Sequence, residues 1–387
     1  MLDISMKEKV LIISNFHEES PISRSNMVYK FYLDIGYDPI VLCSSFSHSL
    51  KKFREFDNKK FITLKTISYS SSLSIKRILS YLIFSFGVFK FLGKNKFDLI
   101  YVNLPPNGLG LPLLLRKNSF KKLIVDVIDL WPEAFPINKS LIKKTMLNLS
   151  SVIPKIIRKK IINYSDFCIT ESNFFYKKLN LKETLNSKVI YIKKPESTKP
   201  FLDKITEELS IVYLGNIGKI YDFNSLIKII KGVEKNRKVV LHIIGLGPLN
   251  KWFFNSLENK NIDYYYHGAT FDENFKSKII SKCWFGFNGY KNNTEVALSY
   301  KSVDYLSFGV PLLNSAKEDT RHLVENEGIG YNFHSESLEK IIDDLSSISL
   351  GEIDIMKKKS YLFFKKVLSE KSYYSEMDSV MNRINNN

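Results

Sequence analysis

Short apolar runs alternate with longer amphipathic stretches through the first half of the chain. The runs are nearly continuously apolar, as strands covered on both faces of a sheet should be. They are KVLIIS (9–14), PIVLCS (39–44), DLIYVN (98–103), KLIVDVI (122–128) and DFCIT (166–170). Helical patterns fill the gaps at about 23–35, 73–93, 140–163 and 172–180. This order is typical of βαβ units and predicts a parallel sheet.

A segment with two prolines and many charges, KKPESTKPFLDKITEEL (193–209), interrupts the alternation and is typical of an interdomain connector. The alternation then resumes, with predicted strands at 210–215, 238–245, 262–268, 283–288 and 310–315. Predicted helices lie near 223–235, 249–259, 271–282, 300–308, 335–348 and 356–385.

The pattern therefore predicts two Rossmann-like parallel α/β domains, an N-terminal one over 1–200 and a C-terminal one over 205–360. The helix at about 360–387 is a candidate to pack back on the N-terminal domain. Ligands of such sheets bind beyond the carboxyl ends of the strands. We expect the functional residues in the βα loops, where the two domains face each other across a cleft.

Composition narrows the class of protein. A chain of 387 residues suits two domains, and its 44% apolar and 25% charged residues exclude a disordered chain. Cys43, Cys168 and Cys283 lie far apart without metal-ligand spacing, which argues against disulfides and zinc and fits a reducing cytoplasm. The N-terminus lacks a signal-peptide pattern, and the longest apolar run, 78–92, is too short to span a bilayer.

The net charge of +17 is large and is spread along the whole chain. It reflects either compositional bias or an anionic partner. Nucleic acid, an anionic membrane surface and phosphate-bearing substrates are all electrostatically possible, and charge alone does not choose among them.

Two glycine-containing turns follow predicted strands of the second domain. LGNIGKIYDF (214–223) places Gly215, Asn216, Gly218 and Lys219 before a helix. Its glycines would let the backbone approach a phosphate, while Asn216 and Lys219 could donate hydrogen bonds to the phosphate oxygens. IIGLGP brings Gly245 into a similar turn, but it lacks the third glycine of a dinucleotide fingerprint. A plain tight turn is the alternative at both places.

The stretch YKSVDYLSFGVP (300–311) predicts a helix start suited to an anion. Ser299 is the expected N-cap, so Tyr300, Lys301 and Ser302 would supply the unpaired amides of the first turn. Lys301 adds positive charge there, and Asp304 lies one turn after Tyr300 on the same face, where it could accept hydrogen bonds from hydroxyl groups. Diphosphate on the helix start and ribose on the acid would match a nucleotide sugar. The alternative is an ordinary solvated cap.

In the first domain, the loop VIDLWPEAFP (127–136) brings Asp129, Trp131 and Glu133 to the end of a predicted strand. An aromatic ring and two acids suit sugar hydroxyls and proton handling. A structural loop with Trp131 in the core is the alternative. ESPISRSN (19–26) offers Ser23 and Arg24 at a helix start, where they could hold an acceptor phosphate or simply cap the helix.

The helical patterns at 73–93 and 140–163 combine apolar stripes with basic residues. Such elements can lie on an anionic membrane. For 73–93 we favour an ordinary core helix. The chain has no DxD, GxxxxGK[ST], GxSxG or HExxH motif, which counts against metal-clamped phosphate chemistry and hydrolase triads.

The order of these motifs carries a family resemblance. LGNIG, HIIGLGP, YYYHGAT, SYKSVDYLSFGVPLLNS and EDTRHLVENEGIGYNF follow one another through the second half of the chain. This order resembles the donor-binding domain of the family-4 retaining glycosyltransferases, which have the GT-B fold. VIDLWPEAF resembles the first-domain loop of bacterial members that build O-antigen or capsule repeat units. The resemblance is strongest over 210–335 and looser over 1–200.

The resemblance assigns roles to residues of the second domain. Asp304 stands where the family has the second glutamate of its EX7E motif, which binds the nucleotide ribose in the family. The first glutamate of the motif would fall at Val296, with Glu295 one position away.

Many members of the family also grip the diphosphate with an Arg and a Lys. Asn216 and Tyr221 stand at those two positions, which leaves Lys219 and Lys301 as substitutes. The resemblance further implies a retained anomeric configuration and no metal or other cofactor.

We expect the chain to transfer a sugar from a nucleotide-diphosphate sugar, a UDP-sugar, to a lipid-linked glycan acceptor in surface polysaccharide assembly. The expected location is the cytoplasm, or the inner face of the cell membrane as a peripheral protein. Asp129, Glu133 and Lys301 are the candidate catalytic residues, and Lys301 with Lys219 would stabilise the leaving diphosphate. A sugar-nucleotide epimerase of the same fold and a non-catalytic glycosyltransferase partner are the alternatives. No nucleic-acid-binding module accompanies the charge.

Overall fold

The computed structural model describes residues 7–71, 74–131, 141–181, 186–196 and 207–386, with the backbone alone over 141–151. The chain divides into two compact units. Unit 1 comprises Met1–Tyr191 and Tyr374–Asn387, and unit 2 comprises Ile192–Tyr373. Each unit is built around its own parallel sheet.

Unit 1 contains a parallel sheet of seven strands in the order β3-β2-β1-β4-β5-β6-β7. The strands are β1 Lys9–Ser14, β2 Asp38–Ser44, β3 Phe61–Leu64, β4 Phe97–Leu104, β5 Phe120–Val127, β6 Phe167–Thr170 and β7 Ser187–Val189. Its first five helices are α1 Arg24–Asp34, α2 Ile75–Leu92, α3 Gly110–Leu115, α4 Leu141–Tyr164 and α5 Asn173–Leu179. The continuous apolar runs become central strands because helices cover both faces of the sheet.

Unit 2 contains a parallel sheet of six strands in the order β10-β9-β8-β11-β12-β13. The strands are β8 Leu209–Leu214, β9 Val239–Ile244, β10 Tyr264–Tyr266, β11 Phe285–Asn288, β12 Leu312–Asn314 and β13 Gly330–Asn332. The helices that follow in sequence are α6 Phe223–Val233, α7 Asn250–Glu258, α8 Glu273–Ile280, α9 Tyr300–Ser307, α10 Asp319–Glu327, α11 Glu339–Ser347, α12 Leu350–Phe363 and α13 Glu370–Asn385, of which α13 belongs largely to unit 1.

The two sheets share one topology. In each, the first strand of the unit lies at the centre and the order reverses beside it, between β1 and β4 in unit 1 and between β8 and β11 in unit 2. Crevices beyond the carboxyl ends of the strands at such switch points are where open α/β sheets bind ligands. The topology thus points to the loops after β8 and β11.

Each strand predicted from an apolar run is present. The pattern missed the short strands β3, β7 and β13, whose side chains are only partly buried, so that no apolar run marks them. It also missed α3 and α10. The single closing helix predicted at 356–385 is wrong, because Ser369 adopts an extended conformation between α12 and α13 and its hydroxyl accepts from the Ser372 amide.

One face of α2 packs on the core, as the interpretation of 73–93 as a core helix predicted, and it buries Phe84, Val88 and Leu92 there. A second set of apolar side chains, which includes Leu79, Leu82 and Phe86, is exposed. The helix therefore buries one apolar face and exposes another. Within the described part of the chain, no helix is both long and apolar enough to cross a membrane.

Candidate functional site

Two glycines join the loops after β8 and β9 at the floor of the switch point in unit 2. Gly215 and Gly245 have φ values of +119° and +159°, and the Gly215 amide donates to the Ile244 carbonyl at 2.8 Å. A Cβ on Gly245 would lie 1.9 Å from the Gly215 carbonyl oxygen. Only glycine fits at Gly245, so main chain lies directly against main chain here.

The rest of the first loop presents polar groups. The Asn216 carbonyl accepts from the Tyr213 hydroxyl at 2.5 Å, and Asn216 is exposed. Gly218 is buried and Lys219 is exposed. A cavity of about 220 Å³ beside this loop is lined in part by Lys219, Trp252 and Lys291.

The start of α9 is held by a side-chain cap, which confirms the predicted N-cap. The Ser299 hydroxyl accepts from the Ser302 amide at 3.2 Å, and Ser299 has extended φ and ψ angles of −107° and 151°. The same hydroxyl donates to Asn288 Oδ1 at 3.1 Å. Because Asn288 ends β11, the cap ties the helix start to the edge of the sheet.

An asparagine ladder continues from that contact across the strand ends. Asn288, Asn314 and Asn332 end β11, β12 and β13 and are paired in register. Asn288 Nδ2 donates to Asn314 Oδ1 at 2.7 Å, and Asn314 Nδ2 donates to Asn332 Oδ1 at 2.7 Å. This ladder was not predicted from the sequence, although an Asn at the end of FGFN, LLN and GYN was its signal.

Lys301 lies in a cage of tyrosine rings. Its side chain is 8% exposed, and among the residues that the structure describes its Nζ has no hydrogen-bond partner. The ring centroids lie 3.8 Å (Tyr221), 4.5 Å (Tyr290) and 5.1 Å (Tyr213) from Nζ. Burial lowers the pKa of the Lys301 ammonium well below its usual value. Ring faces compensate a buried cation only in part, so an anion beside Nζ would stabilise the charged form of Lys301.

Asp304 belongs to a cluster of alternating charges within unit 2. Its carboxylate lies 2.5 Å from Lys194 Nζ and 3.4 Å from Lys276 Nζ. Glu273 also pairs with both lysines, at 2.6 Å from Lys194 Nζ. Both lysines are buried. A ribose hydroxyl that donated to Asp304 would therefore be added to an existing network of ion pairs. Among the described residues, Lys301 is not a member of that network.

The remaining donor-binding candidates near α9 differ in burial. Tyr300 and Glu295 are exposed, and Ser302 is buried with its hydroxyl 2.8 Å from the Ser299 hydroxyl. The structure thus brings the start of α9 together with the loop after β8, through the contact of Lys301 with Tyr221.

In unit 1, the strand-end acid Asp126 is fully engaged. It accepts from Arg24 Nε at 2.7 Å and from Arg24 Nη2 at 3.0 Å. Tyr101 and Asn103 donate to the same carboxylate at 2.6 Å and 3.0 Å. Arg24 Nη1 donates to the Ile190 carbonyl at 2.8 Å. The Arg24 guanidinium, expected to meet an acceptor phosphate, thus serves a buried ion pair in this structure.

The other acceptor candidates are placed separately. Ser23 precedes α1 but makes no side-chain cap. The Trp131 ring lies 4.9 Å from the Arg77 guanidinium, and its Nε1 is buried without a partner among the described residues. Asp129 is half-buried and lies two positions after β5. Glu133 lies outside the described residues.

Glu171 is an acid that the sequence analysis missed. It directly follows β6, and burial, with the negative charges of Asp126 and Asp129, raises the pKa of its carboxyl to about 8, while Arg24 acts in the opposite direction. The carboxyl is therefore largely protonated at neutral pH and can donate a hydrogen bond. Its signal was its position, an acid immediately after the apolar run DFCIT.

No protein-family model matches the chain, and no curated protein matches it. Solved structures do match. HepE of Anabaena in complex with UDP aligns with a TM-score of 0.68 at 12% identity, over 97% of this chain and 100% of that chain. HepE has also been solved with UDP-glucose.

Two further structures match over nearly the whole chain. Sucrose-phosphate synthase of Thermosynechococcus elongatus aligns with a TM-score of 0.67 at 11% identity, over 98% of this chain and 99% of that chain. WaaG, a glycosyltransferase involved in lipopolysaccharide biosynthesis, aligns with a TM-score of 0.60 at 11% identity, over 94% and 98%. The chain therefore has the GT-B fold, with two Rossmann-like parallel α/β domains.

Proposed function

We propose that the protein is a glycosyltransferase that moves a sugar from a UDP-sugar to a lipid-linked glycan acceptor in surface polysaccharide assembly, as a retaining enzyme of the family-4 type. The GT-B fold and the UDP complexes of HepE support the nucleotide-sugar donor. The observation that carries the proposal is Lys301, a buried cation without a hydrogen-bond partner among the described residues, in the first turn of α9. A diphosphate is an anion that fits such a cation and helix start.

The proposed chemistry is electrostatic. As the bond between the sugar and the diphosphate breaks, negative charge grows on the leaving diphosphate. The Lys301 ammonium and the amide dipoles of α9 are already held in place by the tyrosine cage and the Ser299 cap. Little reorganisation is then needed when the charge appears, and we propose that these groups serve without a metal. Lys219 would add a mobile second cation.

We assign the ribose to Asp304 and the acceptor to unit 1. A ribose hydroxyl would donate to Asp304 beside Lys194 and Lys276. Asp129 and Glu133 remain our candidates for holding the acceptor hydroxyl. The Glu171 carboxyl is protonated near neutral pH and offers a donor to sugar oxygens at the same edge of the sheet.

The direct test is UDP binding by calorimetry, followed by a panel of nucleotide sugars scored by thermal stabilisation. Lys301→Met keeps the apolar stem and removes the charge, so we expect UDP affinity to fall by about tenfold or more. Lys340→Met, on the exposed surface of α11, is the matched control and should bind as the unaltered protein does. Equal affinity in both folded variants would remove Lys301 from the site.

Turnover is a separate question. Release of free UDP together with a glycosylated acceptor would support a transferase, and a new sugar nucleotide without acceptor would support an epimerase. UDP binding with no reaction on any donor would favour the non-catalytic partner instead.

A further inference from the structure

Helix α2 exposes an apolar face in addition to the one that it packs on the core. Its exposed apolar side chains recur at helical spacing on one face: Ile75, Ile78, Leu79, Leu82 and Phe86. Ile75 is 84% exposed and Phe86 57%. Exposed large apolar side chains are ordinary when scattered, but a continuous face of them marks an interaction surface.

The neighbouring helices extend this face. Helix α3 packs closely against α4, where a Cβ on Gly110 would lie 2.8 Å from the Ile157 side chain. The chain just before α3 lies close to α2, where a Cβ on Gly108 would lie 3.4 Å from Ser85. Both neighbours expose more apolar side chains, namely Leu111, Leu115, Val152, Ile153 and Ile156. These and the five of α2 form what we call the apolar face.

The segments that carry this face are basic in sequence and free of acids over long ranges. The ranges 58–97, 99–125 and 134–165 contain no Asp or Glu. Lys90 Nζ lies 4.5 Å from the Phe86 ring centroid, so basic charge directly follows the apolar stripe along α2.

A basic cavity adjoins the C-terminal ends of α2 and α3. It has a volume of about 500 Å³, and its lining includes Lys94, Lys96, Arg116 and Lys117. Leu115 belongs both to this lining and to the apolar face. The apolar and basic regions are therefore continuous.

From this arrangement we propose that the apolar face docks on an anionic lipid bilayer, with α2 in the interface and lipid phosphate groups at the basic cavity. Aliphatic and aromatic side chains enter the acyl region, while lysines and arginines meet the headgroups. The absence of acids from these ranges matches a negatively charged surface. A second copy of the chain would meet the same cations and be repelled, which disfavours a dimer through this face.

The inference is independent of the proposed donor chemistry, because docking needs no nucleotide sugar. The experiment is sedimentation of the full chain with vesicles of phosphatidylcholine alone or mixed equally with phosphatidylglycerol. We expect binding to the mixed vesicles and at least about tenfold weaker binding to the neutral ones, since the surface attraction is electrostatic.

The apolar part is tested by the double variant Leu82→Gln/Phe86→Gln. Its affinity for mixed vesicles should fall by about tenfold or more, because two apolar side chains that enter the lipid on docking are lost. The matched control is Ile355→Gln/Leu362→Gln on α12 of unit 2, where Ile355 is 56% exposed. This control should bind as the unaltered protein does, and thermal melting of both variants verifies folding.

The basic part is tested by Lys94→Gln/Lys117→Gln against Lys251→Gln/Lys340→Gln, which removes the same charge from unit 2. Only the first pair should lose affinity for mixed vesicles. Equal losses in the two pairs, no binding of mixed vesicles by the unaltered chain, or full binding by Leu82→Gln/Phe86→Gln would overturn the proposal. A dimer in solution that this last variant dissociates would also overturn it in favour of self-association.

Discussion

Arg24 of unit 1 and Lys301 of unit 2 are both buried cations at the carboxyl edge of a parallel sheet, yet their surroundings differ. Arg24 shares a bidentate ion pair with Asp126 and also donates to a main-chain carbonyl. Among the described residues, Lys301 Nζ has no hydrogen-bond partner and three tyrosine rings around it. A buried charge with its hydrogen bonds made serves the fold, whereas one that lacks them is a candidate for binding a ligand.

The difference also separates stability from binding. Removing one member of a satisfied buried pair leaves the other charged and alone, which is strongly destabilising. Removing an unsatisfied buried charge relieves a desolvation cost. Substitutions at the two positions should therefore act in opposite directions on folding.

The largest effect is expected for Arg24→Ala. The substitution leaves the fully buried Asp126 carboxylate without its cation. It should lower the free energy of unfolding by about 3–5 kcal/mol in denaturant titration. The double variant Arg24→Met/Asp126→Leu removes both charges and should recover most of that loss. A loss below about 1 kcal/mol for Arg24→Ala would show that the pair contributes little and would weaken the comparison.

The second-largest effects are expected for the single variants Lys301→Met and Asp304→Ala. Each should weaken donor binding by about 1–3 kcal/mol, the range for losing a charged hydrogen-bond partner. Only Lys301→Met should keep or increase the free energy of unfolding, because Asp304→Ala leaves Lys194 and Lys276 with one acid fewer.

The pH dependence gives Lys301 a second readout. Its pKa is lower in the folded than in the unfolded chain, so between those two pKa values the unfolded chain binds more protons and stability rises with pH. Lys301→Met should remove that rise. If the variant keeps the same slope under alkaline conditions, the ammonium is not buried as described.

A smaller effect, of opposite pH sense, is expected for Glu171→Gln. The carboxyl has a pKa of about 8 in the folded protein, above the unfolded value of about 4.3. The folded state therefore holds a proton that the unfolded state releases, and stability falls as pH rises through that window. The amide cannot ionise, so the variant should be more stable than the unaltered protein at pH 9 and about equally stable at pH 4. Parallel curves would contradict this assignment.

The smallest effect compares two helix starts. Ser299→Ala removes a side-chain cap and should cost about 1 kcal/mol in unfolding free energy, with weaker UDP binding. Ser23 makes no side-chain cap on α1, so Ser23→Ala should cost less than about 0.5 kcal/mol. Equal costs would mean that the cap of α9 adds nothing specific.

The sequence was sufficient for features that depend on neighbours along the chain. Apolar runs gave the central strands, and the Ser299 cap followed from a serine before a helical pattern. The resemblance implied the GT-B fold, which the structural matches confirm.

Features that depend on residues far apart in the sequence could not be predicted from it. The ring faces around Lys301 come from β8, from the loop after it and from the loop after β11, and Asp304 meets Lys194 from 110 positions away. Periodicity located the apolar stripe of α2 but not the side that it faces, because a 3.6-residue repeat marks a face without stating what covers it. Likewise, the position of Arg24 at a helix start suggested a bound phosphate, whereas in the structure its guanidinium pairs with Asp126.

The contact of Gly245 with the Gly215 carbonyl has a consequence for how this protein can change. Because neither side chains nor their rotamers form that floor, substitutions in the surrounding core can alter packing without reshaping it. The side chains that line the neighbouring cavity, such as Lys219 and Trp252, can then vary, while the turn itself tolerates no Cβ at Gly245. Changes in what the cavity accepts are therefore expected from its lining side chains and not from the glycine turn.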